Sequence, residues 1–157
     1  MDVAHYTKGD NCIFAKNFTN TQLMLEQAVS DSKYRNDEYD SLDIINDFTN
    51  GFDMLVLDAL VGNGDRHTGN FGWLVDTDTG NIVKSAPIYD FDHALDSKNP
   101  KTCILIKEII DICKNNKEYS LKLIEYCNKT IELNINEFFN CRAEYILENK
   151  NKFNGGV

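Results

Sequence analysis

Gly62-Asn-Gly-Asp-Arg-His-Thr-Gly-Asn-Phe-Gly-Trp73, followed beyond a hairpin pattern by Ala86-Pro-Ile-Tyr-Asp-Phe-Asp-His93, decides how this chain is read. Glycines in the first block let the backbone turn sharply, and Asp65, Asn70 and Asp90 are the side chains that such turns leave facing one place. The segment leading in, Phe52-Asp-Met-Leu-Val-Leu-Asp-Ala-Leu-Val61, is apolar nearly all the way round and predicts a helix running through the core. Asp58 is the conspicuous acid in its interior. Either it orients the following loop by accepting hydrogen bonds from backbone N–H groups, or it lies on a partly wet helix face.

Beyond the loop, Phe71-Gly-Trp-Leu-Val75 and Asn81-Ile-Val-Lys84 flank Asp76-Thr-Asp-Thr-Gly80, which predicts a β-hairpin with a polar turn ending in glycine. Asp76-x-Asp78-x-Gly80 has the form of an opening calcium loop. The glutamate needed at the twelfth position of such a loop is Pro87, so the reading is a turn.

Phosphoryl transfer asks little covalent chemistry of a protein. It needs a carboxylate near the attacking hydroxyl and metal ions that hold the nucleotide phosphates in line. Asp65 and Asn70 have the D-x-x-x-x-N spacing of protein-kinase catalytic loops, in which the aspartate takes the substrate proton and the asparagine oxygen ligates a metal. Asp90, on the far side of the hairpin, supplies a second carboxylate, and magnesium accepts such hard oxygen ligands while keeping some water. His67 contacts a phosphate or stabilises transferred charge, Arg66 pairs with an acid and holds the loop closed, or each has a purely structural role. Asp92 and His93 rank lower, because successive residues of extended chain point apart and Asp90 is favoured for the metal.

The two blocks, Gly62 to Gly72 and Ala86 to Leu95 in this order, resemble the carboxy-terminal domain of the HipA-like serine/threonine kinases of bacteria. Asp-Arg-His-x-x-Asn and the later Asp-Phe are also similar to phosphatidylinositol kinases. The resemblance runs from Asp53 to Leu95, and the flanking helices agree only in character. It implies an α+β, mainly helical fold: a protein-kinase-like C-terminal lobe with a catalytic loop and a small β-hairpin. It further implies Asp65 as base, Asn70 and Asp90 as ligands of Mg2+, and His67, Asn70 and Asp90 around ATP. A protein substrate and a toxin–antitoxin setting go with the family.

A complete kinase also has an amino-terminal lobe with a phosphate-covering loop and a nucleotide-gripping lysine. No Gly-rich loop precedes Asp65, and Lys8 and Lys16 lack the V-A-I-K type of strand context. Residues 1–157 are therefore expected to form one domain, the catalytic lobe, with the clamping lobe missing or supplied by a partner. Two other classes use the same residues. One is a non-catalytic module that binds nucleotide, metal or a partner kinase; the other is a lipid or small-molecule kinase.

The rest of the chain sets limits. Its 157 residues, 42% of them apolar, suit a single globular domain. A net charge of −9 disfavours nucleic acid, whose binding depends on Lys and Arg neutralising phosphates. No run is long enough to span a bilayer and no basic-then-apolar leader opens the chain, so a cytoplasmic location is expected. Five cysteines, odd in number and without paired spacing, read as reduced thiols. Cys103, Cys113, Cys127 and Cys141 fall in helical patterns and read as small buried hydrophobes.

Locally, Thr19-Asn-Thr-Gln22 has the form of a capping box and predicts a helix to about Ser30. Asp31 to Asp40 has no aliphatic residue and predicts a solvated loop. Asp40 or Ser41 caps a short helix carrying Leu42, Ile44, Ile45 and Phe48, which Asn50-Gly51 stops with a left-handed residue. Cys12-Ile-Phe-Ala15 reads as a short strand or an irregular lead-in. From Thr102 onward three amphipathic helices are expected, with Asn-rich connections near 115 and 134 and a fraying end from Asn149.

Overall fold

The computed structural model describes residues 1, 3–8, 13–15, 17–36, 38–95 and 99–152. In chain order the elements are β1 (Tyr6–Lys8), β2 (Ile13–Ala15), β3 (Leu23–Gln27), α1 (Ser32–Arg35), α2 (Ser41–Asp47) and α3 (Gly51–Val61). They continue with β4 (Gly72–Asp76), β5 (Ile82–Ser85), α4 (Ile104–Cys113), α5 (Lys117–Leu133) and α6 (Glu137–Glu148). The chain is α+β, with more helix than strand. Contacts divide it into two compact units, Met1–Met54 with Arg66–Asp90 and Leu55–Asp65 with Phe91–Val157.

The first unit is built on a three-stranded antiparallel sheet in the order β3-β4-β5, beside a separate antiparallel pair, β1-β2. The hairpin expected around residues 76–80 is β4-β5, and its turn works as the sequence suggests. Asp76 Oδ1 accepts from Thr79 Oγ1 and Thr79 N at 2.8 Å each and from Asp78 N at 3.1 Å. Those bonds, the Thr79 hydroxyl first, hold the Asp76 carboxyl below its usual range.

The third strand corrects the sequence reading. Where a helix was expected from Thr19–Gln22 to Ser30, Leu23–Gln27 is a strand, paired with β4 from Leu23↔Asp76 to Gln27↔Gly72. Asn20 explains the capping signal: its Oδ1 accepts from Gln22 N at 2.7 Å and Leu23 N at 2.9 Å, so the polar cluster caps a turn that leads into a strand. Cross-strand pairing overrides the local preference of Leu-Met-Leu-Glu-Gln, a run of good helix formers. Gly72 lets the strands meet, since a Cβ there would stand 2.1 Å from Glu26 O.

The stretch Asp31 to Asp40, expected to be solvated, is anchored by one of the most buried side chains in the protein. Asp31 accepts from Lys33 N at 2.8 Å and starts α1, a single turn that delivers Tyr34, 1% exposed, into an aromatic cluster. Its ring centroid lies 4.9 Å from that of Tyr39 and 5.7 Å from those of Phe48 and Phe71, while Phe48 stacks on Trp73 at 4.5 Å. Aromatic burial thus does what aliphatic residues do elsewhere. Tyr34 Oη donates to Asp47 at 2.9 Å, and burial together with that bond pushes its phenol pKa up.

Asp40 caps α2 in a capping box completed by Asp43. The expected stop at Asn50-Gly51 is not used, because α2 already ends at Asp47 and Gly51 is the first residue of α3. Its role is close approach: a Cβ at Gly51 would lie 2.2 Å from Ile44 O.

In the second unit the C-terminal part of α3 accompanies the three expected helices. Asn116 and Asn136 cap α5 and α6 by accepting from Tyr119 N at 3.0 Å and Phe138 N at 2.8 Å, and Asn134 ends α5 in the left-handed region. The Asn-rich connections are therefore caps. Ile106, Ile109, Leu123, Ala143 and Ile146 form the buried stripes. None of the helices in the described residues is long and apolar enough to cross a membrane.

Cys103, Cys113 and Cys127 are buried, as expected, although Cys103 is the N-cap residue of α4, just outside the helix; Cys141 is exposed. Cys12 lies outside the described residues. Burial pushes the Cys113 and Cys127 thiols up from 9.0 to about 12. Both are neutral in either state below pH 9.0; above it the unfolded chain ionises them while the folded chain does not. Stability is therefore expected to fall with rising pH between those values, by roughly 1 kcal/mol per pH unit for each thiol. Urea unfolding across this range checks it: a Cys113→Ala, Cys127→Ala variant should lose most of that slope, and an unchanged slope would contradict the assignment.

Candidate functional site

The loop quoted first begins where α3 ends, and the second unit fixes that end. A helix terminus leaves its last carbonyls without intrahelical partners. Here Asp58 O accepts from Gly62 N at 2.8 Å and Asn63 N at 3.1 Å, and Val61 O accepts from Leu95 N at 2.8 Å. Ala59 O accepts from Arg142 Nε at 2.6 Å. Arg142 is wholly buried on α6, with Nη2 2.8 Å from Cys103 Sγ and its guanidinium over the Phe138 ring. Gly62, at φ +70°, supplies the left-handed residue that turns the chain off the helix.

Asp58 does not lie on a wet helix face, and it is tied to the loop by a side-chain amide where backbone N–H groups were expected. It is completely buried and its Oδ1 accepts from Asn63 Nδ2 at 2.9 Å. Asn63 Oδ1 in turn receives Asp65 N at 3.4 Å. Asp65 itself holds its carboxylate half in solvent, with Oδ2 3.7 Å from His93 Nε2.

In the first unit, the chain from Arg66 to Phe71 is fastened to the end of β3. Ala28 N and Val29 N donate to Phe71 O at 2.9 Å and Thr68 O at 3.0 Å. Gly69 O accepts twice, from Gln27 Nε2 at 2.6 Å and from Tyr89 Oη at 3.1 Å. Inside the loop Asn70 N donates to His67 O at 2.8 Å. His67 is exposed and turned back on its own loop, its Nδ1 accepting from Gly69 N at 3.1 Å. That bond assigns the proton of a neutral imidazole to Nε2.

Arg66 joins the segments that carry Asn70 and Asp90. Its Nη1 donates to Asn70 O at 2.9 Å and to Tyr89 O at 2.6 Å. The sequence reads Arg66 either as pairing with an acid to hold the loop closed or as structural; these two bonds go to main-chain carbonyls. Asn70 is 5% exposed, and Asp90 is half-buried with φ +63°. A non-glycine residue in the left-handed region is uncommon and costs about 1 kcal/mol, tolerated best by Asn and Asp. Such strain, where it is kept, concentrates at functional positions.

The sequence-predicted residues are thus distributed as follows. Arg66 links the Asn70 and Asp90 segments within the first unit, where His67 also lies, and Asp65 stands with His93 in the second. The chain passes from one unit to the other between Asp65 and Arg66 and between Asp90 and Phe91. Sequence reasoning missed Gln27, Tyr89 and Arg142. An arginine within the apolar stripe of α6 was a signal for the last; Gln27 carried none, because its partner is 42 residues away.

No family model matches this chain, and no curated protein matches it. Among solved structures it is similar to the Helicobacter pylori proinflammatory kinase CtkA, with a TM-score of 0.56 over 98% of this chain and 78% of that chain. The fold is kinase-like. Sequence identity with CtkA is 20%, so the likeness concerns architecture alone.

Proposed function

We propose that this chain is a phosphotransferase, the catalytic part of an ATP-dependent serine/threonine protein kinase of the HipA-like type. The observation that carries the reading is the Arg66 clamp. One guanidinium nitrogen holds the main chain at Asn70 and at Tyr89, the residues at and beside the two expected metal ligands. The kinase-like fold adds support.

Asp65 acts as the base, accepting the proton of the acceptor hydroxyl on a carboxylate that solvent, and hence substrate, can reach. Asn70 and Asp90 are hard oxygen donors on tethered backbone, a donor set that fits magnesium. His67 offers Nε2–H to a phosphate oxygen, since its Nδ1 is engaged by Gly69. Bound Mg·ATP would supply the phosphoryl group and neutralise its charge. A clamping lobe, on this protein or on a partner, belongs to the proposal for firm nucleotide binding.

The test is transfer of label from γ-labelled ATP with magnesium to serine/threonine peptides or to phosphatidylinositol vesicles. Label on peptide is the expected result. Label on lipid alone would make this a lipid kinase, and nucleotide binding without transfer to either would leave a non-catalytic module.

A further inference from the structure

We infer that the second unit holds an anion-binding cavity, lined by the loop at Pro100, α4 and α6, for a small molecule that joins a phosphate or carboxylate to a short apolar body. The cavity measures about 340 Å3, within the range that small-molecule sites occupy. Its apolar lining is Cys103, Ile106 and Ile110, all buried. Around this lining stand Lys101, Lys107 and Lys114, with Tyr145 contributed by α6.

The charge is what sets the place apart. In a chain of net charge −9, three lysines against one acid, Asp111, give this lining a formal +2. Asp111 pairs with Lys114. The amines of Lys101 and Lys107 have no side-chain partner among the described residues. Lys107 lies on α4 and Lys114 is the residue that caps its end, two turns on and on the same side, so the lysines border the cavity from one helix face. Amines gathered over an apolar concavity select a ligand with an anionic head and an apolar body, by local potential and by burial. Its concave form and small volume suit a small molecule better than a macromolecular surface.

Phenyl phosphate is a suitable probe, with phenol and inorganic phosphate as its halves, followed by NMR on the methyls of Ile106 and Ile110 and the ring of Tyr145. Saturable shifts are expected with phenyl phosphate, and weaker binding of either half. A Lys101→Gln, Lys107→Gln variant, altered only at the surface, should bind about tenfold more weakly, the effect of losing charge-assisted contacts. Asp90→Asn should leave the titration unchanged, which separates this site from the proposed catalytic residues. Absence of saturable shifts at these residues, equal affinity in the double-lysine variant, or loss of the shifts in Asp90→Asn would each overturn the inference.

Discussion

Asp65→Ala is expected to lower phosphoryl transfer by about 10²- to 10⁴-fold, the usual contribution of a positioned general base, while leaving the fold intact. The reason lies in where the residue sits. Its carboxylate is half-exposed, its backbone is held through Asn63 Oδ1, and the buried hydrogen bond that orders the loop belongs to Asp58 and Asn63. Removing the Asp65 side chain therefore takes away chemistry more than structure. Initial rates at saturating Mg·ATP, compared with thermal unfolding of the same samples, separate the two. A variant that keeps wild-type transfer would remove Asp65 from the reaction, and one that melts much earlier would make it structural.

Arg66→Ala should act in the opposite way, through structure first. Its Nη1 donates to two carbonyls, and hydrogen bonds from a charged donor contribute about 1.5–3 kcal/mol each. Because one nitrogen serves both and the side chain is only half-buried, a loss of about 2–3 kcal/mol is expected. Mg·ATP affinity should fall with it, since the segments bearing Asn70 and Asp90 are no longer tied. Arg66→Lys keeps the charge without the planar guanidinium and should recover only part of both. Denaturant unfolding and calorimetry on the two variants check this; wild-type stability in Arg66→Ala would contradict the clamp.

The sequence disclosed features whose signals are local. The apolar run of α3, the glycines and polar residues of the β4-β5 turn, and the three terminal helices follow from composition and spacing over a few residues, and the structure has them. It concealed what distant residues decide. β3 carries a capping signal that Asn20 uses for a turn, and only pairing with β4 makes it a strand. Tyr34 sits in a polar stretch that reads as solvent-exposed until Phe48, Phe71 and Trp73 are brought around it.

The same division runs through the candidate site. Asp65, Asn70 and Asp90 stand out by motif, and Asp58 by its place in an apolar helix. The fastenings were hidden: Gln27 to Gly69 spans 42 residues and Arg142 to Ala59 spans 83, and no local pattern encodes such contacts. What the motif could not convey is that Arg66 ties its two blocks through their carbonyls, which any side chain at those positions would present.

If Asn70 and Asp90 hold the metal of a bound nucleotide, isothermal calorimetry of ATP with magnesium on the wild-type chain and on Asp90→Asn will register it. The substitution keeps the size of the side chain and removes its charge. Weak magnesium-dependent binding by the wild type, abolished in Asp90→Asn, is expected; equal binding by the two proteins would remove Asp90 from the metal.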